Sequence, residues 1–268
     1  MTISRSARYL LASLMGVGLA FIYTPLLVVV VNSFNSSKSF SWPPQEFTTR
    51  WWSAAAENTG VREALKWSVM AGASATAISL LLGTMLAFAV SRYSFFGRNV
   101  ISLLVVLPIS LPGIVTGIAL NNAFTQQLGI STSIFTVIVG HATFCIVVIY
   151  NNVLARLNRM GTSLQEASMD LGADGMTTFR LITLPNLASA LFAGALLAFG
   201  LSFDEIVVTT FTAGPGIQTL PIWIYNNLFR PNQAPIVNVV AAVLVVFSII
   251  PIYISQRLSQ DTTSGGRF

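Results

Sequence analysis

The sequence predicts an all-α membrane protein with six transmembrane helices. Three observations predict it. Only 9% of the 268 residues are charged and 54% are hydrophobic; a soluble chain carries about 25% charged residues, so the solvent for most of this chain is lipid. Six apolar runs, at residues 10–31, 67–90, 100–121, 134–154, 187–209 and 235–254, each approach the roughly 20 residues that a helix needs to cross a bilayer. None of them alternates apolar and polar residues as a barrel strand does, and irregular backbone is not tolerated against lipid.

The first run follows Arg5 and Arg8, as in a signal peptide. It is longer than an h-region and no A-x-A site follows, so it is read as an uncleaved span. The 32–66 connection contains FSWPPQEFTTRWW, whose prolines and tryptophans predict an ordered segment at the membrane interface. The third run carries Pro108 and Pro112. Each removes a backbone donor and is expected to kink or break the helix, either as a packing kink or beside a pathway where the freed carbonyls are satisfied.

The fourth run holds His141 and Cys145, the only histidine and the only cysteine. A lone cysteine excludes an intrachain disulfide or a thiolate metal cluster, and a lone histidine excludes a histidine-based metal site. His141, near a helix end, is expected to be a hydrogen-bonded structural residue. Asn121, Asn122, Asn151 and Asn152 are expected to bond between helices. After the fifth run, residues 210–234 contain a Gly-Pro-Gly turn and LPIWIYNNLF, too short to span and read as a dipping or interfacial helix. The Ser-Gly-Gly tail is expected to be a frayed end. No internal repeat suggests inverted halves; residues 1–268 read as a single transmembrane domain.

The net charge of +5 does not point to nucleic acid, because the charges form no stripe. They sort by side of the membrane instead. With a cytoplasmic N-terminus, Arg5, Arg8, Arg92, Arg98, Arg156, Arg159, Arg180, Arg257 and Arg267 lie inside, against Lys38, Arg50, Arg62, Lys66 and Arg230 outside. That is nine against five, in agreement with the positive-inside rule. Both termini and the 155–186 loop are then cytoplasmic.

That loop is the chain's one elaborate polar segment. Ser163-Leu-Gln-Glu166 has the capping-box pattern and predicts a short helix with Leu164, Ala167 and Leu171 on its apolar side. Gly172 fits its C-terminal stop. Asp174 is expected to cap a second short helix bearing Phe179 and Ile182, and Pro185 to open the fifth span near its first turn. The apolar faces need a partner, either the lipid interface or another protein.

Glu166-Ala167-Ser168, three residues, Gly172, nine residues, Ile182, one residue, Leu184-Pro185 resembles the EAA loop of binding-protein-dependent ABC import permeases. The one departure is Ser168, where the pattern has a second alanine. The resemblance implies that this loop docks on an ATP-hydrolysing subunit, through Glu166, Ala167 and Gly172, with Ser168, Ile182, Leu184 and Pro185 completing the motif. VNSFNSS at 31–37, GHATFC at 140–145 and LSFDEIVVTTFTAGP at 201–215 are similar to the second permease subunit of spermidine/putrescine-type importers. This wider resemblance implies a type I permease fold in a bacterial inner membrane. It also implies a second homologous permease, a pair of ATP-binding subunits and a periplasmic substrate-binding protein.

The chain has no G-x-x-x-x-G-K-[ST] sequence, and its only lysines are Lys38 and Lys66. A phosphate-binding loop needs a lysine at the phosphates, so the chain is expected to bind no cofactor and to be no enzyme. ATP and Mg are expected on the partner ATPase.

Asp204 and Glu205 are the only acidic residues inside any apolar run. A charge within lipid costs about 2.5–3.5 kcal/mol on insertion scales, so it should face a cavity or a partner. In a continuous helix, residue 204 lies about 25 Å from residue 187, toward the outer side. The two carboxylates then point about 100° apart. On that pattern Glu205, sharing a face with Ser202 and Thr209, is the better candidate for a wet path, with Ser202 as a third path residue, and Asp204 for a helix contact or the path's edge. A carboxylate pair suits a cationic polyamine, whose ammonium groups need opposite charge to offset desolvation; another small amine or an amino acid is also compatible. Two other classes are weighed. An intramembrane serine protease would use Ser202 with His141 as base, though no oxyanion donors are identifiable. A stand-alone ion-coupled transporter would need coupling-ion sites and usually more internal symmetry.

Overall fold

The computed structural model describes residues 4–38 and 42–248 of the chain. Among them every regular element is a helix, and the only β-type pairing is an isolated antiparallel bridge between Asn35 and Phe47. Four helices are long and apolar enough to cross a bilayer, or five if one sharply bent pair is a single span. The sixth apolar run is helical over Ala234–Ser248. Its remainder, the tail and Arg257 and Arg267 lie outside the described residues.

The described residues form two compact units, one comprising 4–62 with 223–248 and the other 63–222. In the first unit, α1 spans Arg5–Asn32 and is capped by Ser4, whose hydroxyl accepts from the Ala7 amide at 3.3 Å. None of its most apolar window is buried, as expected of a helix that lipid or another chain covers. In the 32–66 connection the described residues on either side of 39–41 are tied together, in keeping with the ordered segment its composition predicts. The Trp51 indole N–H donates to the Asn35 carbonyl at 2.9 Å, and Phe34 stacks on Trp52. A short helix, α2, covers Arg50–Glu57. Helix α3, Thr59–Arg92, starts earlier than the apolar run at 67. The reason is Asn58, whose side-chain oxygen accepts from the Val61 amide at 3.1 Å and starts the helix upstream of Arg62, Glu63 and Lys66. Asn58 also reaches Gln233, just before α12, Ala234–Ser248.

The second unit is built around α6, Ile134–Met160. Its buried residues Cys145, Ile149, Tyr150, Val153 and Leu157 meet Ala87 and Val90 of α3 and Leu187 and Ala198 of α9, Leu184–Phe203. Small residues let the backbones approach. A Cβ at Gly83 of α3 would lie 2.9 Å from both the Ile146 carbonyl oxygen and the Ile149 Cβ.

The third apolar run is broken rather than kinked. It forms α4, Arg98–Ser110, and α5, Gly113–Asn122, the latter prolonged by a π-helical turn to Gln127, with 106° between the two axes. The break falls at the second proline. Leu111 is extended, at φ −85° and ψ 145°, as a residue before proline prefers. Pro108 stays inside α4.

Helix α7 covers Ser163–Asp170 and α8 covers Gly175–Thr178. The second short helix does not stand apart from the fifth span as expected. It runs through a π-helical turn, Phe179–Thr183, into α9 as one rod over Gly175–Phe203. The widened turn lies just ahead of Pro185, which has no amide hydrogen to donate. The Asn186 side chain donates to the Ile182 carbonyl at 2.7 Å there. The fifth run is broken at its other end: α9 stops at Phe203 and α10, Val207–Thr212, follows. LPIWIYNN forms α11, Leu220–Asn227, an eight-residue helix of the kind the sequence predicts.

Candidate functional site

The break between α9 and α10 contains Asp204, Glu205 and Ile206, so both carboxylates of the fifth run sit on non-helical backbone. Their environments differ. Asp204 is the exposed C-cap residue of α9, where the negative end of the helix dipole adds to its own charge. Glu205 is half-buried and turns back on the chain: its Oε1 accepts from the Val208 amide at 2.8 Å, satisfying a donor at the start of α10. The continuous helix on which Glu205 ranks ahead of Asp204 is therefore not formed. Asp204 carries the exposed, uncompensated charge, and Glu205 is partly occupied as a cap. The continuous-helix faces do not apply, because the rotation per residue changes at the break.

The third candidate, Ser202, is 2% exposed. Its hydroxyl lies 2.7 Å from Nδ1 of His141, which is fully buried, and Nε2 of His141 lies 2.8 Å from the Thr209 hydroxyl. Thr209 gives its single proton to the Glu205 carbonyl, at 2.8 Å. Toward His141 it is left only an acceptor. A neutral His141 is then protonated on Nε2 and accepts from Ser202 through Nδ1. His141 is thus a hydrogen-bonded structural residue, as its position predicts.

This geometry puts Ser202 and His141 in contact, as a protease would need, but without the rest of the machinery. The outer ring nitrogen meets a threonine rather than a carboxylate, and the serine is closed to a peptide bond by burial.

Helix α5 packs on α10 beside the break. Asn121 donates to the Phe211 carbonyl at 2.6 Å, and Gly117 accepts the Phe211 ring where a Cβ would lie 2.7 Å from its Cδ2. Asn121 bonds between helices as predicted. Asn152 instead donates to Val148 in its own helix. Among the described residues no group of three or more His, Cys, Asp or Glu side chains could hold a metal ion.

In the 155–186 loop, α7 is N-capped by Thr162, not Ser163, and without a side-chain hydrogen bond. The predicted capping box is absent, since the helix begins one residue earlier than that pattern requires, with Ser163 inside its first turn. The Glu166 carboxylate is not spent on it, and Glu166 and Ala167 are exposed. Gly172 ends α7 as expected. At φ +88° it adopts a left-handed conformation open to glycine, its amide bonds to Met169 and the Ala173 amide bonds to Ser168, the two bonds of a Schellman motif. Asp174 caps α8, accepting from the Thr177 amide at 2.8 Å. Hydrogen bonds from the Thr177 side chain and amide hold its carboxyl below the usual carboxylate range.

Leu164 and Leu171 of the predicted apolar face are exposed, Leu171 at 90%. The loop's other side is tied down. Gln165 donates to Thr183 at 3.0 Å, Ser168 and Thr178 share a hydrogen bond at 3.1 Å, and the Phe179 ring meets Phe88 of α3 edge-on. Ile182 is half-buried, whereas Leu184 and Pro185 are exposed.

Residues 79–264 match the family of binding-protein-dependent transport system inner membrane components. The chain is 34% identical to the spermidine/putrescine transport system permease protein PotC of Escherichia coli K12, over 92% of each chain. It is 32% identical to the putrescine transport system permease protein PotI of the same strain, over 85% of this chain and 82% of that one. Among solved structures it shares its fold with a chain of a bacterial ABC transporter involved in the import of the acidic polysaccharide alginate. That match has a TM-score of 0.71 and 17% identity, covering 97% of this chain and 99% of the other.

Proposed function

Because the chain belongs to the family of binding-protein-dependent transport system inner membrane components, we propose that it is the second-permease-type subunit of an ATP-driven polyamine importer. The observation that carries the substrate class is the carboxylate pair in a helix break, in a chain akin to a spermidine/putrescine permease over 92% of its length. A polyamine gives up water on leaving solution, and fixed carboxylates offset that cost. Asp204 meets the ammonium first, since its charge is exposed and reinforced by the end of α9. Glu205 lies behind it, and Ser202 supports the break from within rather than lining the path.

The exposed Glu166 and Ala167 of α7, with Leu171 at its C-cap, form the surface on which an ATPase subunit docks, with Ser168, Gly172, Ile182, Leu184 and Pro185 shaping it. Closure of an ATP-binding pair, which holds the ATP and Mg, moves α7. Because the loop is bonded to the rod that begins at Gly175, that motion reaches the carboxylate break at the rod's far end. A cleft shared with a homologous permease opens outward and takes substrate from a periplasmic binding protein, which the 210–234 loop contacts. Both termini and the 155–186 loop are cytoplasmic in this reading, and the chain itself catalyses no reaction.

The test is ATP-dependent uptake of labelled putrescine and spermidine by vesicles holding the full set of subunits, comparing wild type, Glu166→Ala and Asp204→Asn/Glu205→Gln. Glu166→Ala is expected to abolish uptake together with substrate-stimulated ATP hydrolysis. The carboxylate double variant is expected to lose uptake while keeping ATP hydrolysis. Unchanged uptake in all variants would remove both site assignments. Absence of polyamine uptake in wild type would turn the substrate class to another small amine or an amino acid.

A further inference from the structure

Helix α6 is continuous where its neighbour is broken, and it contacts both sides of the break. Gly194, Ala198 and Ser202 recur every four residues along α9 and face Ile149, Cys145 and His141, which recur every four along α6. A Cβ on Gly194 would lie 3.1 Å from Ile149 Cδ1, Cys145 Sγ is 3.3 Å from the Ala198 carbonyl, and His141 bonds Ser202. Beyond the break the same helix meets α10: His141 bonds Thr209, and Thr136 Oγ1 lies 2.7 Å from the Thr212 carbonyl. His141 is therefore the side chain that bonds both halves. The hydrogen bonds run in one direction, from Ser202 to His141, from His141 to Thr209, and from Thr209 to the Glu205 carbonyl. All three side chains are at most 2% exposed. Buried polar groups are costly unless fully paired, and a fully paired chain fixes one arrangement. A leucine or phenylalanine would fill the space without joining the two segments.

We infer that His141 is a positioning residue for the carboxylate pair: its two ring nitrogens pin α10 to α9 across the break and thereby set where Asp204 and Glu205 face. This rests on the reading of those carboxylates as the cation-facing pair. The imidazole's role is to accept on one side and donate on the other. A glutamine amide does both, and a phenylalanine of similar volume does neither.

The experiment compares wild type, His141→Gln and His141→Phe in the complete reconstituted transporter, with two readouts. The first is KM and maximal rate of spermidine uptake. For His141→Phe the KM is expected to rise about ten-fold, the effect of losing one to two hydrogen bonds, with maximal rate little changed. For His141→Gln both should stay near wild type. The second readout is alkylation of Cys145 by a membrane-permeant maleimide. Cys145 is the chain's only thiol, is fully buried, and lies one turn from His141. It reports on the α6–α9 seam whatever the substrate is. Alkylation should be faster in His141→Phe and unchanged in His141→Gln.

If the phenylalanine variant matches wild type in both readouts, or glutamine fails as phenylalanine does, the inference is overturned. If wild type takes up no spermidine, the polyamine reading fails, and the alkylation comparison alone decides on His141. If His141→Phe does not assemble, Ser202→Ala and Thr209→Val each remove one link and carry the same expectations.

Discussion

Adjacent carboxylates with the same ionisation chemistry are made unequal by their backbone. Asp204 ends a helix and Glu205 precedes one, so helix-end charges oppose the first anion and favour the second. Single substitutions should separate them. Asp204→Asn is expected to raise the apparent KM for spermidine about ten-fold, or about 1.4 kcal/mol. Glu205→Gln keeps an oxygen for the Val208 amide and is expected to change it by less than about three-fold, because the cap on α10 is retained. Uptake kinetics at fixed ATP measure both; an equal or reversed ranking would contradict the dipole argument. Of the residues singled out in the loop, the Gly172 stop and the Asp174 cap were legible in the sequence because turns and caps are local. The bonding of Ser202 was not, because its partner lies 61 positions away in the chain.

At the scale of elements, proline and glycine decide which helices continue. Pro112 breaks the third run because Leu111 takes the extended conformation, whereas Pro108 is absorbed within α4. Pro185 is absorbed by a widened turn in the rod from Gly175 to Phe203. Gly83 marks a close approach of α3 to α6. Gly83→Val would force its new methyl groups against the Ile146 carbonyl and Ile149, an overpacking that costs about 1–3 kcal/mol. Thermal unfolding of the detergent-solubilised assembly should show a clearly lowered midpoint, while Gly16→Ala in α1, where a Cβ meets nothing within 4 Å, should leave it unchanged.

At the scale of the molecule, the distribution of arginine and lysine predicts an orientation, and the orientation has a direct test. The one native thiol is fully buried, so an introduced cysteine is read against a quiet background. Cysteine placed at the exposed Ser163 of α7 is expected to react with an impermeant maleimide only in inside-out vesicles. Cysteine at Gly216, in the 210–234 loop, should react only in right-side-out ones. Reaction of both from one side would refute the positive-inside assignment.

The sequence by itself determined that the chain is helical and membrane-embedded, where most of its apolar runs lie, and which loop carries the exposed motif. Composition, run length and fixed spacing are properties of the chain read in order, and they act locally. Only the tertiary structure decided that the fifth run breaks at its carboxylates and that α6 supports the break. Helical periodicity through 187–209 is uninterrupted in the sequence. The break is stabilised by groups from distant segments: the His141 ring, bonded to Ser202 and Thr209, and the α5 surface packed on Phe211. A continuous helix needs no such partners, so nothing in the local sequence marks their presence.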